Sequence, residues 1–192
     1  MPQPDHIVKI PLPDQDTLAE DILKYFGKCE EKLGFIPNVL RAYSVNPEKF
    51  RNFCAFYNHL MLDEETTNIS KLEREMIAVC VSSANRCYYC LVAHGHAVRQ
   101  LSGDPELGEM LVMNYRVAEL NQRHRTMLDF VWKLTLTPPD ISENDRQELR
   151  DAGFSDQDIF DICDVAGFFN YTNRMAHGLE MIPNREYHKM DR

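Results

Sequence analysis

Residues 70–103 read SKLEREMIAVCVSSANRCYYCLVAHGHAVRQLSG, and this stretch decides both the fold class and the chemistry of the chain. Ser70 followed by Glu73 has the spacing of a capping box, in which the hydroxyl and the carboxylate each satisfy a free backbone N–H at a helix start. Leu72, Met76, Ile77, Val79, Cys80 and Val81 then continue a helix to about Ala84, and Asn85 breaks it. A second helix is expected from about Arg86, carrying Leu91, Val92, Ala97, Val98 and Leu101 until Gly103 stops it. The break is short enough for the two helices to lie side by side.

Working outward, the same period recurs on both sides. Leu18, Ile22, Leu23, Phe26, Cys29 and Leu33 place a helix over Thr17–Leu33 with Gly34 as its stop. A short segment, Pro37 to Ala42, leads to Pro47, which suits a first helical turn before Phe50, Phe53, Cys54, Tyr57, Leu60 and Met61. Asp63 to Asn68 is polar and reads as a loop. Beyond Asp104 the pattern predicts a short helix, one over Gln122–Leu136 ended by Pro138 and Pro139, one within Asp140–Ser155, and a long one from Asp156 toward Met181. No segment alternates as a strand should, and no Gly/Ser or Pro-rich linker divides the chain. The expectation is an all-α bundle forming a single domain over residues 1–192.

Composition narrows the function. At 192 residues, with 44% hydrophobic and 27% charged residues, the chain has the balance of a protein with a packed core. A net charge of −9, with no cluster of Lys and Arg, argues against nucleic acid, whose phosphates need a basic face. No run approaches the about 20 apolar residues needed to span a membrane, and the Pro-rich start lacks the apolar core of a signal peptide. Six cysteines in a chain of this length fit a reducing, cytoplasmic setting better than a disulfide scaffold. Cys29, Cys54, Cys80 and Cys163 each stand alone among apolar or helix-forming residues and read as small hydrophobes.

Cys87 and Cys90 differ. A C-x-x-C pair at a helix start meets free N–H groups and the positive end of the dipole, both of which favour thiolate over thiol. Such thiols have pKa values of about 3.5 to 7.5, against about 8.5 for free cysteine. Three and four residues separate Cys87, Cys90 and His94, so all three stand on one helical face. The cysteine spacing permits a disulfide, so one thiol can be oxidised by a peroxide and resolved by the other. His94 is placed to take the thiol proton, and Glu75 on the preceding helix to orient or charge-balance the imidazole.

C-x-x-C-x-x-x-H with a glutamate twelve positions before the first cysteine resembles the core motif of the AhpD-like alkylhydroperoxidases, within the carboxymuconolactone decarboxylase superfamily. The likeness extends beyond the core at about residues 70–100: GFIPNVLRAYSVNPEKF resembles the family's N-terminal helix pair, and LRDAGFSDQDIFDICDVAGFFNYTNRMAHGLEM the final helices of its peroxidase-related subgroup. The resemblance implies an AhpD-like helical bundle, trimers or hexamers, and reduction of hydroperoxides with Cys90 attacking, Cys87 resolving, and His94 and Glu75 relaying protons. It also implies a reducing partner, a lipoylated or other dithiol protein; no bound organic cofactor is expected, because the dithiol itself stores the two electrons, and no metal ligand is assigned. One departure is Tyr89, which stands where well-characterised members carry a further histidine and is a poor base near neutrality.

Three other readings compete. Cys87, Cys90 and His94 could be zinc ligands, although structural zinc takes four and no second C-x-x-C or H-x-x-x-H is present. The same four residues could serve disulfide reduction or thiol exchange. The cysteines could also be incidental in a helical interaction protein. His96, two positions past His94, should point to another side of the helix, and His59, His124 and His177 have no motif partner. Asn173 and Arg174 match a late pair in the family and read as structural. Tyr88, Phe168 and Phe169 are pocket candidates, though aromatic residues at helical spacing more often build core.

Overall fold

The structure is a computed structural model that describes residues 3–192. Among the described residues it holds nine α-helices and no strand: α1 Glu20–Leu33, α2 Asn38–Tyr43, α3 Pro47–Leu62, α4 Lys71–Ala84, α5 Tyr88–Ser102, α6 Pro105–Asn114, α7 Gln122–Leu136, α8 Glu143–Asp151 and α9 Asp156–Gly178. None of these helices is long and apolar enough to cross a membrane.

α4 is the axis of the bundle. Its residues from Glu73 to Ser82 are all buried, residues 76–81 because they are apolar on every side and Glu73, Arg74 and Glu75 because each has a polar partner, and α3, α5, α6, α7 and α9 pack about it. The capping box forms as read: Ser70 Oγ accepts from the Glu73 N–H at 3.2 Å, and Glu73 Oε2 accepts from the Ser70 N–H at 2.9 Å. Glu73 also receives Arg123 Nε of α7 at 2.7 Å, tying the start of the axis to its neighbour.

The turn between α4 and α5 closes as a Schellman motif. Cys87 N–H reaches Ser82 O at 2.8 Å, Arg86 N–H reaches Ser83 O at 3.1 Å, and Arg86 takes the left-handed conformation at φ 54°. The second helix therefore starts two residues later than its pattern suggests, and Cys87 is its N-cap. α5 then runs beside α6 at very short range. A Cβ on Gly108 would sit 2.5 Å from Arg99 Cγ and 3.1 Å from the Gly95 carbonyl, and Arg99 is held by its own bonds to the carbonyls of Tyr187, Met190 and Asp191. Those bonds also strap the C-terminal segment across α5.

Other helix ends depart from the sequence reading where local chemistry competes with the period. Gln15–Thr17 form a 3₁₀ turn and Leu18 is extended, so α1 begins at Glu20 and not at Thr17. Pro138–Asp140 form another 3₁₀ turn and Ser142 caps through Asp145, which trims α8 to Glu143–Asp151. α9 stops at Gly178, short of Met181, where Glu180 turns left-handed at φ 49°. The chain end then pairs with its start, Lys9 N–H to Leu179 O at 2.9 Å and Ile182 N–H to Ile7 O at 3.0 Å.

Arg74 is 1% exposed, and its Nη1 donates to the carbonyls of Leu60 and Asp63 where α3 ends. Arg74→Leu takes this donor from the buried Leu60 carbonyl and the half-buried Asp63 carbonyl and should cost about 3 kcal/mol in urea unfolding. Arg146→Ala, which breaks an exposed pair with Glu143, should stay within about 0.5 kcal/mol. Equal losses in the two variants would show that Arg74 does not anchor the end of α3.

Candidate functional site

α4 and α5 bring the four motif residues together. His94 Nδ1 donates to Glu75 Oε2 at 2.6 Å, with side chains only 12% and 10% exposed. The edge of the imidazole rests on Phe169 of α9, ring centroids 4.6 Å apart at 80°, so the ring is fixed on two sides. A carboxylate on Nδ1 leaves Nε2 as the nitrogen free to exchange a proton.

Cys87 and Cys90 are free thiols, buried and close enough to share one proton. Cys87 stands at the N-cap position of α5 without a side-chain cap bond; the neighbouring Cys90 thiol is the largest influence on it and, with the nearby Cys90 backbone N–H and the charges of His177 and His94, outweighs burial and brings its pKa down to about 7. Cys90 is pushed well above its usual value by the same shared proton, by burial and by the Cys87 charge. The pair therefore favours charge on Cys87 over charge on Cys90.

Around the pair lies a polar cluster that the sequence reading did not identify. Ser82 of α4 and Asn173 of α9, both fully buried, reach the Cys90 sulfur and favour its thiolate. Asn173 Nδ2 donates to Ser82 Oγ at 3.1 Å, and its Oδ1 accepts from Asn85 Nδ2 at 3.0 Å. His177 Nε2 lies 3.1 Å from the Asn85 carbonyl. Asn173 thus stands beside the Cys90 sulfur, beyond the structural part assigned to it with Arg174. The signal was present only as a family likeness, since 83 residues separate it from Cys90.

Tyr89 is not a substitute base. Its buried hydroxyl accepts the Val39 N–H of α2 at 3.0 Å, and burial holds it well above the ordinary phenol range. It fastens α2 to the cysteine helix.

The site opens into a cavity of about 650 Å³ between α1, α3, α5 and α9. Cys90, Glu75 and His94 line it, whereas Cys87 does not. Phe168 and Phe169 serve both core and cavity; Tyr88 lies outside, 47% exposed, with its hydroxyl on Gln3. His96 does line the cavity, contrary to the expectation from its offset, because the cavity wraps around α5; its Nδ1 sits 2.9 Å from Asp191 Oδ2. Cys29 and Cys54 also line it, with burial raising both thiols, Cys54 to about 11. Among the described residues no three His, Cys, Asp or Glu side chains are grouped to hold a metal ion.

Comparison with known proteins agrees with this picture. Residues 47–113 match the carboxymuconolactone decarboxylase family. The crystal structure of an uncharacterized peroxidase-related protein from Silicibacter sp. TM1040 is 58% identical over 100% of both chains, TM-score 0.95. That of an alkylhydroperoxidase AhpD core, an uncharacterized peroxidase-related protein from Ralstonia eutropha JMP134, is 38% identical over 98% of each chain, TM-score 0.94. Apo debrominase Bmp8 shares the fold at 17% identity, over 96% of this chain and 95% of that one, TM-score 0.77. Among curated proteins none matches. With Glu75, Cys87, Cys90 and His94 assembled on α4 and α5, and relatives this similar along the whole chain, the protein belongs to the AhpD-like members of the carboxymuconolactone decarboxylase superfamily.

Proposed function

We propose that the protein is a cysteine-based peroxidase that reduces organic hydroperoxides or hydrogen peroxide through a Cys87–Cys90 dithiol/disulfide cycle. The observation that carries the reading is the placement of Cys90 on the cavity wall, with Cys87 behind it and the Glu75–His94 pair beside it.

Cys90 attacks because its sulfur is the one that meets the cavity. The shared proton moves toward Cys87, and the Cys90 sulfur takes the terminal oxygen of the hydroperoxide as the O–O bond breaks. Cys90 becomes a sulfenic acid, and His94, oriented by Glu75, gives the departing alkoxide its proton. Cys87 then attacks the Cys90 sulfur, the S–S bond forms, and the sulfenic oxygen leaves as water. In sum two thiols and one hydroperoxide yield one disulfide, one alcohol and one water, two electrons passing from sulfur to oxygen. A dithiol donor, free or carried on a lipoylated protein, returns the electrons. Ser82 and Asn173 hold the Cys90 sulfur while its charge develops. We assign the working form to a cytoplasmic homo-oligomer, a trimer or hexamer.

With cumene hydroperoxide as substrate, Cys90→Ser should abolish turnover. Cys87→Ser should stop after one oxidation and accumulate a sulfenic acid that dimedone traps on Cys90, and His94→Ala should lower the rate about 100-fold, the order expected of a lost general acid. Turnover that survives Cys90→Ser, or a dimedone adduct on Cys87 in that variant, would reverse the roles of the two sulfurs.

The pH dependence follows from the shared proton. A thiol with a depressed pKa is charged above it and loses that charge as pH falls through it. Thiolate absorbance of the reduced protein should therefore show one transition near pH 7, and the peroxide reaction should slow below it. Cys87→Ser should remove that transition. Cys90→Ala, which takes away the largest influence on the Cys87 sulfur, should move it upward. A transition near pH 7 that persists in Cys87→Ser would place the resting charge on Cys90.

A further inference from the structure

The cavity is much larger than hydrogen peroxide or a small alkyl hydroperoxide requires. At about 650 Å³ it falls within the range of about 300–1,000 Å³ that encloses drug-sized ligands. Its walls are mainly apolar and aromatic, among them Leu40, Phe53, Met61 and Phe168. Its polarity is segregated. Glu75, Cys90 and His94 stand at the buried end, while the exposed lining residues are Lys28, Lys32, Leu33, Leu62, Gln100 and Leu101, near the C-terminal ends of α1, α3 and α5. These six form the mouth.

The charge of the cavity lining runs against the charge of the whole protein. The chain carries −9 overall, yet among the described residues three lysines line the cavity, Lys28, Lys32 and Lys71, and Glu75 is the one carboxylate, already joined to His94. Lys71 is paired with Glu64 at 2.7 Å. Lys28 and Lys32 lie one turn apart on α1, and neither makes an ion pair among the described residues. An apolar chamber with a reactive sulfur at depth and two uncommitted ammonium groups at its entrance is complementary to a long apolar chain with an anionic end.

We infer that the substrate of this site is an amphipathic hydroperoxide carrying a carboxylate, a fatty-acid hydroperoxide, with its carboxylate on Lys28 and Lys32, its chain along the apolar walls and its peroxide group at Cys90. The inference rests on the peroxidase reading and deepens it by naming the substrate class. Each methylene buried contributes about fourfold to affinity, so the chain supplies most of the binding. The carboxylate adds about two- to fivefold for each exposed lysine it meets, an advantage that salt screens.

The test is equilibrium binding of a C18 hydroxy fatty acid, the alcohol product, and of its methyl ester to the reduced full-length protein at low and high salt. Cumene hydroperoxide consumption is measured in parallel. The acid should bind about tenfold tighter than the ester at low salt, and Lys28→Gln with Lys32→Gln should bring the acid to the ester's affinity while leaving the ester and cumene hydroperoxide turnover unchanged. Shorter hydroxy acids should bind progressively more weakly. Equal binding of acid and ester, an acid preference untouched by the double variant, or no binding of either would overturn the inference. Acid-selective binding without consumption of any hydroperoxide would instead sink the peroxidase reading and leave an anionic-lipid site.

Discussion

The turn at Asn85–Arg86–Cys87 sets everything the site does, because it fixes how α5 departs from the buried axis α4. Arg86 takes the left-handed conformation, which is unfavourable for a residue with a Cβ, and the Cys87 and Arg86 N–H groups close onto Ser82 and Ser83. The consequence is that Cys87 becomes the N-cap of α5, Cys90 falls in its first turn, and His94 comes over Glu75 one helix away. A break one residue longer would turn the cysteines to another face and separate the imidazole from its carboxylate.

The same constraint explains the electrostatics. Buried carboxylate, imidazole and thiolate are each costly without partners, and here each has one. Glu75 and His94 satisfy one another, Cys87 lies against the Cys90 thiol, and Ser82 with Asn173 wait on the Cys90 sulfur. Two adjacent sulfurs cannot both ionise at low cost, so their charge and proton are divided between them. The division favours charge on the sulfur behind the cavity wall over the sulfur that meets the cavity. The rear sulfur takes up the proton as the front one is oxidised, and that proton leaves with the sulfenic oxygen as water when the disulfide closes.

Much of this is readable from sequence because it is local. The capping box at Ser70 and Glu73, the stops at Gly34 and Gly103, and the period of α4 and α5 depend on residues within a few positions of one another, and the helices form there. The Glu75, Cys87, Cys90 and His94 constellation is equally local, spanning 20 residues. What escaped is tertiary. Asn173 meets Cys90 only because α9 crosses α4, and His96 faces the cavity only because α1 and α3 extend the cavity around α5. Cys29 and Cys54 behave as buried thiols, as their apolar neighbours suggest, yet the packing of α1 on α3 also puts them in the cavity wall. Helix ends shifted where 3₁₀ turns, side-chain caps and a left-handed residue overrode the apolar period, at Thr17, Arg86, Asp140 and Glu180.

The central claim is that Cys87 and Cys90 act as one two-electron unit toward peroxide. One equivalent of an organic hydroperoxide added to the reduced, metal-free protein, followed by peptide mass spectrometry, addresses it directly. The account predicts stoichiometric loss of peroxide with a disulfide joining Cys87 and Cys90, and with Cys29, Cys54, Cys80 and Cys163 still reduced. A dithiol left unreacted, or oxidation that falls on the other four cysteines, would contradict it.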